Sequence, residues 1–158
     1  MTLKSAGRLL GCLLLCLGVG FIESVYTRPE IPTWYAGLVK PFWTPPPIAF
    51  PIVWTVLYVL MAITLWRLWD TATPSPARRQ AVGFFLVQLA LNAIWSPVFF
   101  GWHGIRIALA VILLLLVSIV ATIAVSLQVD RIAAWLLLPY ALWVAYATTI
   151  NAGVVALN

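Results

Sequence analysis

Three stretches of the chain carry polar and aromatic side chains at helical spacing. Gln88, Asn92, Trp95 and Phe99 follow i, i+4, i+7, i+11, as do Trp54, Tyr58, Met61 and Leu65. Tyr140, Trp143, Ala147 and Asn151 line up in the same way. Each set occupies one face of one helix. Amides and phenols hydrogen-bond, and indoles stack and can give up an electron or hydrogen atom to a reactive partner. No general acid–base pair accompanies them, and no cluster with metal-ligand spacing. Cys12 and Cys16 lie one helical turn apart, but without a further Cys or a His they read as small buried hydrophobes. The chemistry on offer is binding of something flat.

The elements that position these stripes belong in lipid. Of 158 residues, 64% are hydrophobic and only 8% charged, with a mean hydropathy of +1.06. A soluble domain carries about 25% charged residues. No Asp, Glu, Lys or Arg occurs between Lys40 and Arg67, Arg79 and Arg106, or Arg106 and Asp130, nor after Arg131. Each interval exceeds the roughly 20 residues with which a helix crosses about 30 Å of hydrocarbon. A fifth run, from Leu9 to Tyr26, is interrupted only by Glu23. The expected fold is an all-α, five-helix transmembrane bundle, a single domain over 1–158, with spans near 7–26, 48–69, 81–101, 107–127 and 132–156. Runs this long exclude a β-barrel, whose strands alternate in pieces of roughly ten residues. The first run resembles a signal peptide but has no small-residue cleavage site, so it is expected to stay as the first helix.

Lys4, Arg8, Arg67, Arg78, Arg79 and Arg131 fall on one side of such a bundle, and Arg28, Lys40 and Arg106 on the other. In a bacterial-type inner membrane this bias places the N-terminus in the cytoplasm and the C-terminus outside. The net charge of +5 reflects these flanking residues, and no nucleic-acid partner is expected. Three connectors are short, which forces neighbouring helices antiparallel. The fourth, 27–47, holds "TWYAGLVKPFWTPPP". Its "TWYAGL" can form one helical turn with Trp34 and Leu38 on a common face. The prolines then impose a stiff, extended descent into the second span. A connector of this length is either a lid, presenting Trp34, Tyr35 and Trp43, or an aromatic belt resting on headgroups.

The stripes themselves admit two readings. Interhelical hydrogen bonds of about 0.6 to 2 kcal/mol each can hold a solid bundle. Indoles pack poorly where helices meet tightly, however, so three stripes beneath a lid favour a cavity with aromatic walls. Such walls suit a flat polycycle. No acidic residue is expected to face the centre, so a buried cation is not. Arg28, Lys40 and Arg106 stand at the mouth, where they can meet carboxylates. A tetrapyrrole with propionate tails satisfies all of this, whereas a sterol satisfies only the first condition. His103, beside Trp102 and Gly104 in a tight connector, reads as a solvated interfacial histidine rather than a haem ligand.

"WYAGLVKPFWTPP" at 34–46, "WTVLYVLM" at 54–61, "QLALNAIWSPVFFG" at 88–101 and "PYALWVAYATTIN" at 139–151 appear in order across most of the chain. In these pieces the sequence resembles the translocator protein family, also called tryptophan-rich sensory proteins or peripheral-type benzodiazepine receptors. The resemblance implies a homodimer of five-helix bundles whose lidded cavity takes protoporphyrin IX-type tetrapyrroles and isoquinoline or benzodiazepine drugs, with no required cofactor. Trp54 and Trp143 match the pair that the family associates with porphyrin binding and light-dependent breakdown. Trp34, Tyr35, Asn92, Trp95 and Ala147 match further pocket positions. With Trp43, Tyr58, Gln88, Tyr140 and Asn151 from the lid and stripes, they form the expected ligand-binding set.

The chain departs from the family in two places. The helix-five sterol pattern is absent, since "ATTINAGVVALN" has no Tyr and no basic residue after Asn151, and a reversed version on Arg79, Phe84 and Leu86 is too loose to carry weight. At the helix-three seam Gly83 is followed by Val87 rather than by a second small residue. Three function classes stay open: a tetrapyrrole sensor or carrier, a light- and oxygen-dependent porphyrin-degrading enzyme, and an ion-coupled transporter. Glu23 is the lone intramembrane acid available to the last of these.

Overall fold

Why the apolar runs start and stop where they do is visible at their ends. In the computed structural model, which describes residues 2–158, the elements are α1 (Leu3–Glu30), α2 (Trp34–Gly37), α3 (Ala49–Trp66), α4 (Pro76–Ser96), α5 (Ile105–Ser126), α6 (Arg131–Leu136) and α7 (Leu138–Leu157). No strand occurs among the described residues. Thr2 caps α1 by accepting from the Ser5 amide at 3.2 Å, and Ser75 caps α4 by accepting from the Arg78 amide at 3.1 Å. Asp130 caps α6 through the amides of Ile132 and Ala133 at 2.9 and 3.1 Å. Five helical lengths are long and apolar enough to cross a bilayer: Leu3–Glu30, Ala49–Asp70, Pro76–Gly101, Ile105–Ser126 and Arg131–Leu157.

The first and last spans depart from expectation for physical reasons, and the third begins at Pro76 rather than near 81. The first span covers 3–30 rather than 7–26: Thr2 caps it ahead of Lys4 and Arg8, and the helix runs past Arg28 to Glu30. Arg8 pairs with Asp70 at 2.6 Å, the Ser5 hydroxyl also donates to Asp70, and Glu23 turns inward. The connector therefore begins at Ile31. The last span is broken at Leu137, because Pro139 brings no N–H to the ladder and the chain restarts as α7 with proline in its first turn. The second and third spans end in π-turns, Arg67–Thr71 and Pro97–Gly101, the latter opened by a proline.

Read round the bundle, the second span packs on the first, the first on the third, the third on the fourth and the fourth on the fifth. The remaining seam, between α3 and the fifth span, is closed at one end by α6. There Arg67 donates to both oxygens of Asp130, at 2.9 and 3.2 Å, and the Thr64 hydroxyl donates to the Ala133 carbonyl at 3.4 Å. Beyond the Leu137 break, the α3 and α7 backbones stand further apart and the helices meet through side chains, Trp54 edge-on to Tyr140 and Phe50 edge-on to Trp143. Cys12, Cys16, Leu57, Met61, Phe85, Leu115, Tyr140 and Val144 form the main core, with both cysteines free and buried. Leu14, Phe21, Ile52, Leu114, Val117 and Leu142 face outward, the arrangement of a protein whose solvent is hydrocarbon.

Candidate functional site: an aromatic interior under a docked lid

The three stripes converge. The Asn92 amide donates to the Tyr58 hydroxyl at 2.8 Å, and that hydroxyl donates to the Glu23 carboxyl at 2.6 Å. Trp54 stacks on Tyr58 with ring centres 5.5 Å apart and meets Tyr140 edge-on at 6.2 Å. One turn further along, Trp95 stacks on Phe99 and donates its indole N–H to Asn151 at 3.2 Å. Asn151 in turn donates to the Ile105 carbonyl at 3.0 Å, tying α7 to the start of α5. Gly20 makes the approach of α1 possible, since a Cβ there would stand 2.5 Å from the Tyr58 ring.

Several polar atoms at this centre are buried without a partner. They are both amide atoms of Gln88, one oxygen of Glu23, the Tyr140 hydroxyl and the Trp143 indole nitrogen. Such a group costs about 1–3 kcal/mol when left unpaired. Glu23 corrects the expectation that no acid faces the centre: it lies inside the bundle, on the aromatic stripe of α3. Its direction can be read from the spacing Cys12, Cys16, Glu23, Thr27, one face of α1, with Thr27 and Ser96 sharing a 2.7 Å hydrogen bond beside it.

An open-sided cavity of about 450 Å³ lies in the seam between α3 and α7. Ile52, Val56 and Leu60 line one wall, and Pro139, Leu142, Trp143 and Tyr146 the other. Its volume falls within the range of small-molecule sites. Of the expected ligand-binding residues, Trp143 lines it. Gln88, Asn92, Tyr58, Tyr140 and Asn151 are buried and do not line it, with Trp54, Trp95 and Ala147 half-buried.

The connector is docked as a lid. Its turn, α2, lays Trp34, Tyr35 and Leu38 on Phe99, Phe100 and Val154, as the spacing of "TWYAGL" predicts. Pro41 sits over Gly153, where a Cβ would come within 2.7 Å of its ring. The Asn158 side chain brackets Val39, accepting from its N–H at 3.1 Å and donating to its carbonyl at 2.9 Å. Trp43 is exposed, and its carbonyl accepts from the Tyr146 hydroxyl. The extended descent is interrupted by turns at Pro41–Thr44 and Pro46–Ala49. His103 does more than face solvent. It stacks on Trp34 at 4.1 Å, meets Glu30 at 3.1 Å and adopts φ 55°, the left-handed region rare for a residue other than glycine. Lys40, expected at the mouth, donates to the Tyr35 and Leu38 carbonyls at 2.7 and 2.8 Å and lies 4.7 Å from the Tyr35 ring. Burial pushes the Tyr35 phenol above its ordinary range. Arg28 and Arg106 remain exposed.

Five apolar spans, an interior of indoles, phenols and amides, and a lid docked across one end define a multi-pass helical membrane protein with an aromatic heart. The TspO/MBR family profile matches residues 12–157, and the chain belongs to that family. It is 38% identical over 147 residues to the tryptophan-rich protein TspO of Chlorobaculum tepidum, covering 93% of each chain. It is 36% identical to the protein of the same name from Archaeoglobus fulgidus, over 96% of this chain and 97% of that one. The human translocator protein is 37% identical over 132 residues, 83% of this chain and 78% of its own.

Proposed function

We propose that the protein is a membrane tetrapyrrole-binding sensor or carrier whose ligand, protoporphyrin IX or a relative, reaches the aromatic interior through the α3–α7 seam. The observation that carries this reading is the seam cavity itself: apolar walls open to lipid that include Trp143, on the two helices that also carry Trp54, Tyr58 and Tyr140. A flat macrocycle gains by stacking on such rings and by leaving lipid without crossing a polar layer. In this reading its propionates meet Arg28 and Arg106, whose exposure leaves them free of the packed interior. The family name and the names of the relatives, tryptophan-rich protein and translocator protein, support a membrane sensory or translocating role. The same cavity would accept isoquinoline or benzodiazepine drugs. The working unit is a homodimer in an inner-type membrane with the N-terminus cytoplasmic, and sterol is not its ligand.

Quenching of tryptophan fluorescence by protoporphyrin IX in the dark tests this. Saturable quenching, weakened about ten-fold or more in Trp143→Ala, is the expected outcome for loss of a central aromatic anchor. Linear quenching indifferent to Trp54→Ala and Trp143→Ala would mean that porphyrin only partitions into detergent. Trp143 in the cavity wall also favours a second reading, breakdown of light-excited porphyrin with the indole as electron donor and oxygen as co-reactant. Illumination of the same sample separates the two: loss of the Soret band that stops in the Trp54→Phe, Trp143→Phe double variant assigns the enzyme.

A further inference from the structure

Among the described residues, three of the four acids have a basic partner: Asp70 has Arg8, Asp130 has Arg67, and Glu30 has His103. Glu23 has none. Its Oε2 accepts from Tyr58 at 2.6 Å, and its Oε1 is buried without a partner. The relay into it is directional. Asn92 donates to Tyr58, and Tyr58 donates to Glu23. As a carboxylate, Glu23 keeps Oε1 unpaired, and a carboxylate inside a bilayer calls for a positive partner. If Oε1 carried a proton instead, that proton would have no acceptor. Neither state is satisfied by the protein alone.

We propose that Glu23 forms a cation-selective subsite in the aromatic interior, taking a flat aromatic ligand that carries a protonated nitrogen. The surroundings fit such an occupant. Tyr58, whose hydroxyl holds the carboxyl, stacks on Trp54, so the acid is tied to a pair of stacked aromatic rings. Facing Glu23 from the other elements are the Tyr58 hydroxyl on its carboxyl, the Ser96 hydroxyl on its backbone carbonyl, and Tyr140 nearby, none of them cationic. An N–H⁺ donor satisfies Oε1, neutralises the charge and stacks at once. The inference rests on the reading that this interior is a ligand site, and it adds that charge, not flatness alone, selects what binds.

Two probes of one shape decide it: 9-aminoacridine, cationic at neutral pH, and 9-aminoanthracene, which is neutral. Each is titrated into the detergent-solubilised protein by equilibrium dialysis, with uptake by empty micelles subtracted. The wild-type protein is expected to prefer the cation by about ten-fold or more, as for a desolvated ion pair. Glu23→Gln should bring the preference to about one while changing the affinity for 9-aminoanthracene less than about three-fold. Equal affinities in the wild type overturn the proposal without any variant, as does a preference unchanged in Glu23→Gln. Protoporphyrin IX titrated in parallel keeps the two readings apart. Selective aminoacridine binding without porphyrin binding supports the subsite and removes the tetrapyrrole. Porphyrin binding with no cation preference overturns the subsite alone.

Discussion

Tyr58 holds four relationships at once: its ring lies against Gly20 and beneath Trp54, and its hydroxyl accepts from Asn92 and donates to Glu23. Tyr58→Phe keeps the ring contacts but leaves an amide donor and a carboxyl oxygen stranded. A loss of about 1–3 kcal/mol is expected, read as a lower thermal midpoint in detergent. Gln88 predicts the opposite sign. It is fully buried, and neither end of its amide has a partner, so Gln88→Met replaces an unsatisfied group with an apolar one of similar length. The midpoint should rise, and affinity for protoporphyrin should fall. A buried amide kept at a cost to stability is what a ligand contact calls for. If Gln88→Met lowers the midpoint instead, Gln88 is a structural residue and leaves the ligand-binding set.

At the scale of elements, the lid is held by features of unequal legibility. The turn "TWYAGL" announces itself, because Trp34 and Leu38 are one helical turn apart, and both land on the Val98–Phe100 cluster. Its dock does not. Nothing local in "NAGVV" distinguishes Gly153 from any small residue in a membrane helix; its role lies in the Pro41 ring 112 positions earlier in the chain. The broken fifth span is a middle case, since Pro139 is plain to see but proline is tolerated in a helix's first turn, so the apolar run reads as continuous. Gly153→Val should lift Pro41 and spare the spans, because the crowding falls on the lid. Protease cleavage within 31–48 should quicken and porphyrin release should speed up by about ten-fold, with helical circular dichroism unchanged. Release at the wild-type rate would mean the lid covers the bundle without gating it.

At the scale of the whole molecule, the five spans were legible because lipid leaves charged residues only at the ends, and that same rule hid Glu23. A charge read as lying near a helix end, away from the centre, was a group on the inner face of α1, and its partner, Tyr58, is reached only once α1 and α3 cross at Gly20. The order of spans round the bundle is likewise a property of packing rather than of any segment. It leaves a seam that α6 closes at one end and α3 and α7 leave open at the other. If the seam is the way in from lipid, narrowing it must slow entry and exit together and leave equilibrium affinity nearly alone. Leu142, on the cavity wall and exposed outward, is the place to do it. Leu142→Trp should slow both association and dissociation of protoporphyrin by about ten-fold, with Kd moving less than about three-fold, measured by stopped-flow quenching in vesicles. An unchanged association rate with a weakened Kd would instead put the macrocycle in the seam itself, with the aromatic interior as its floor.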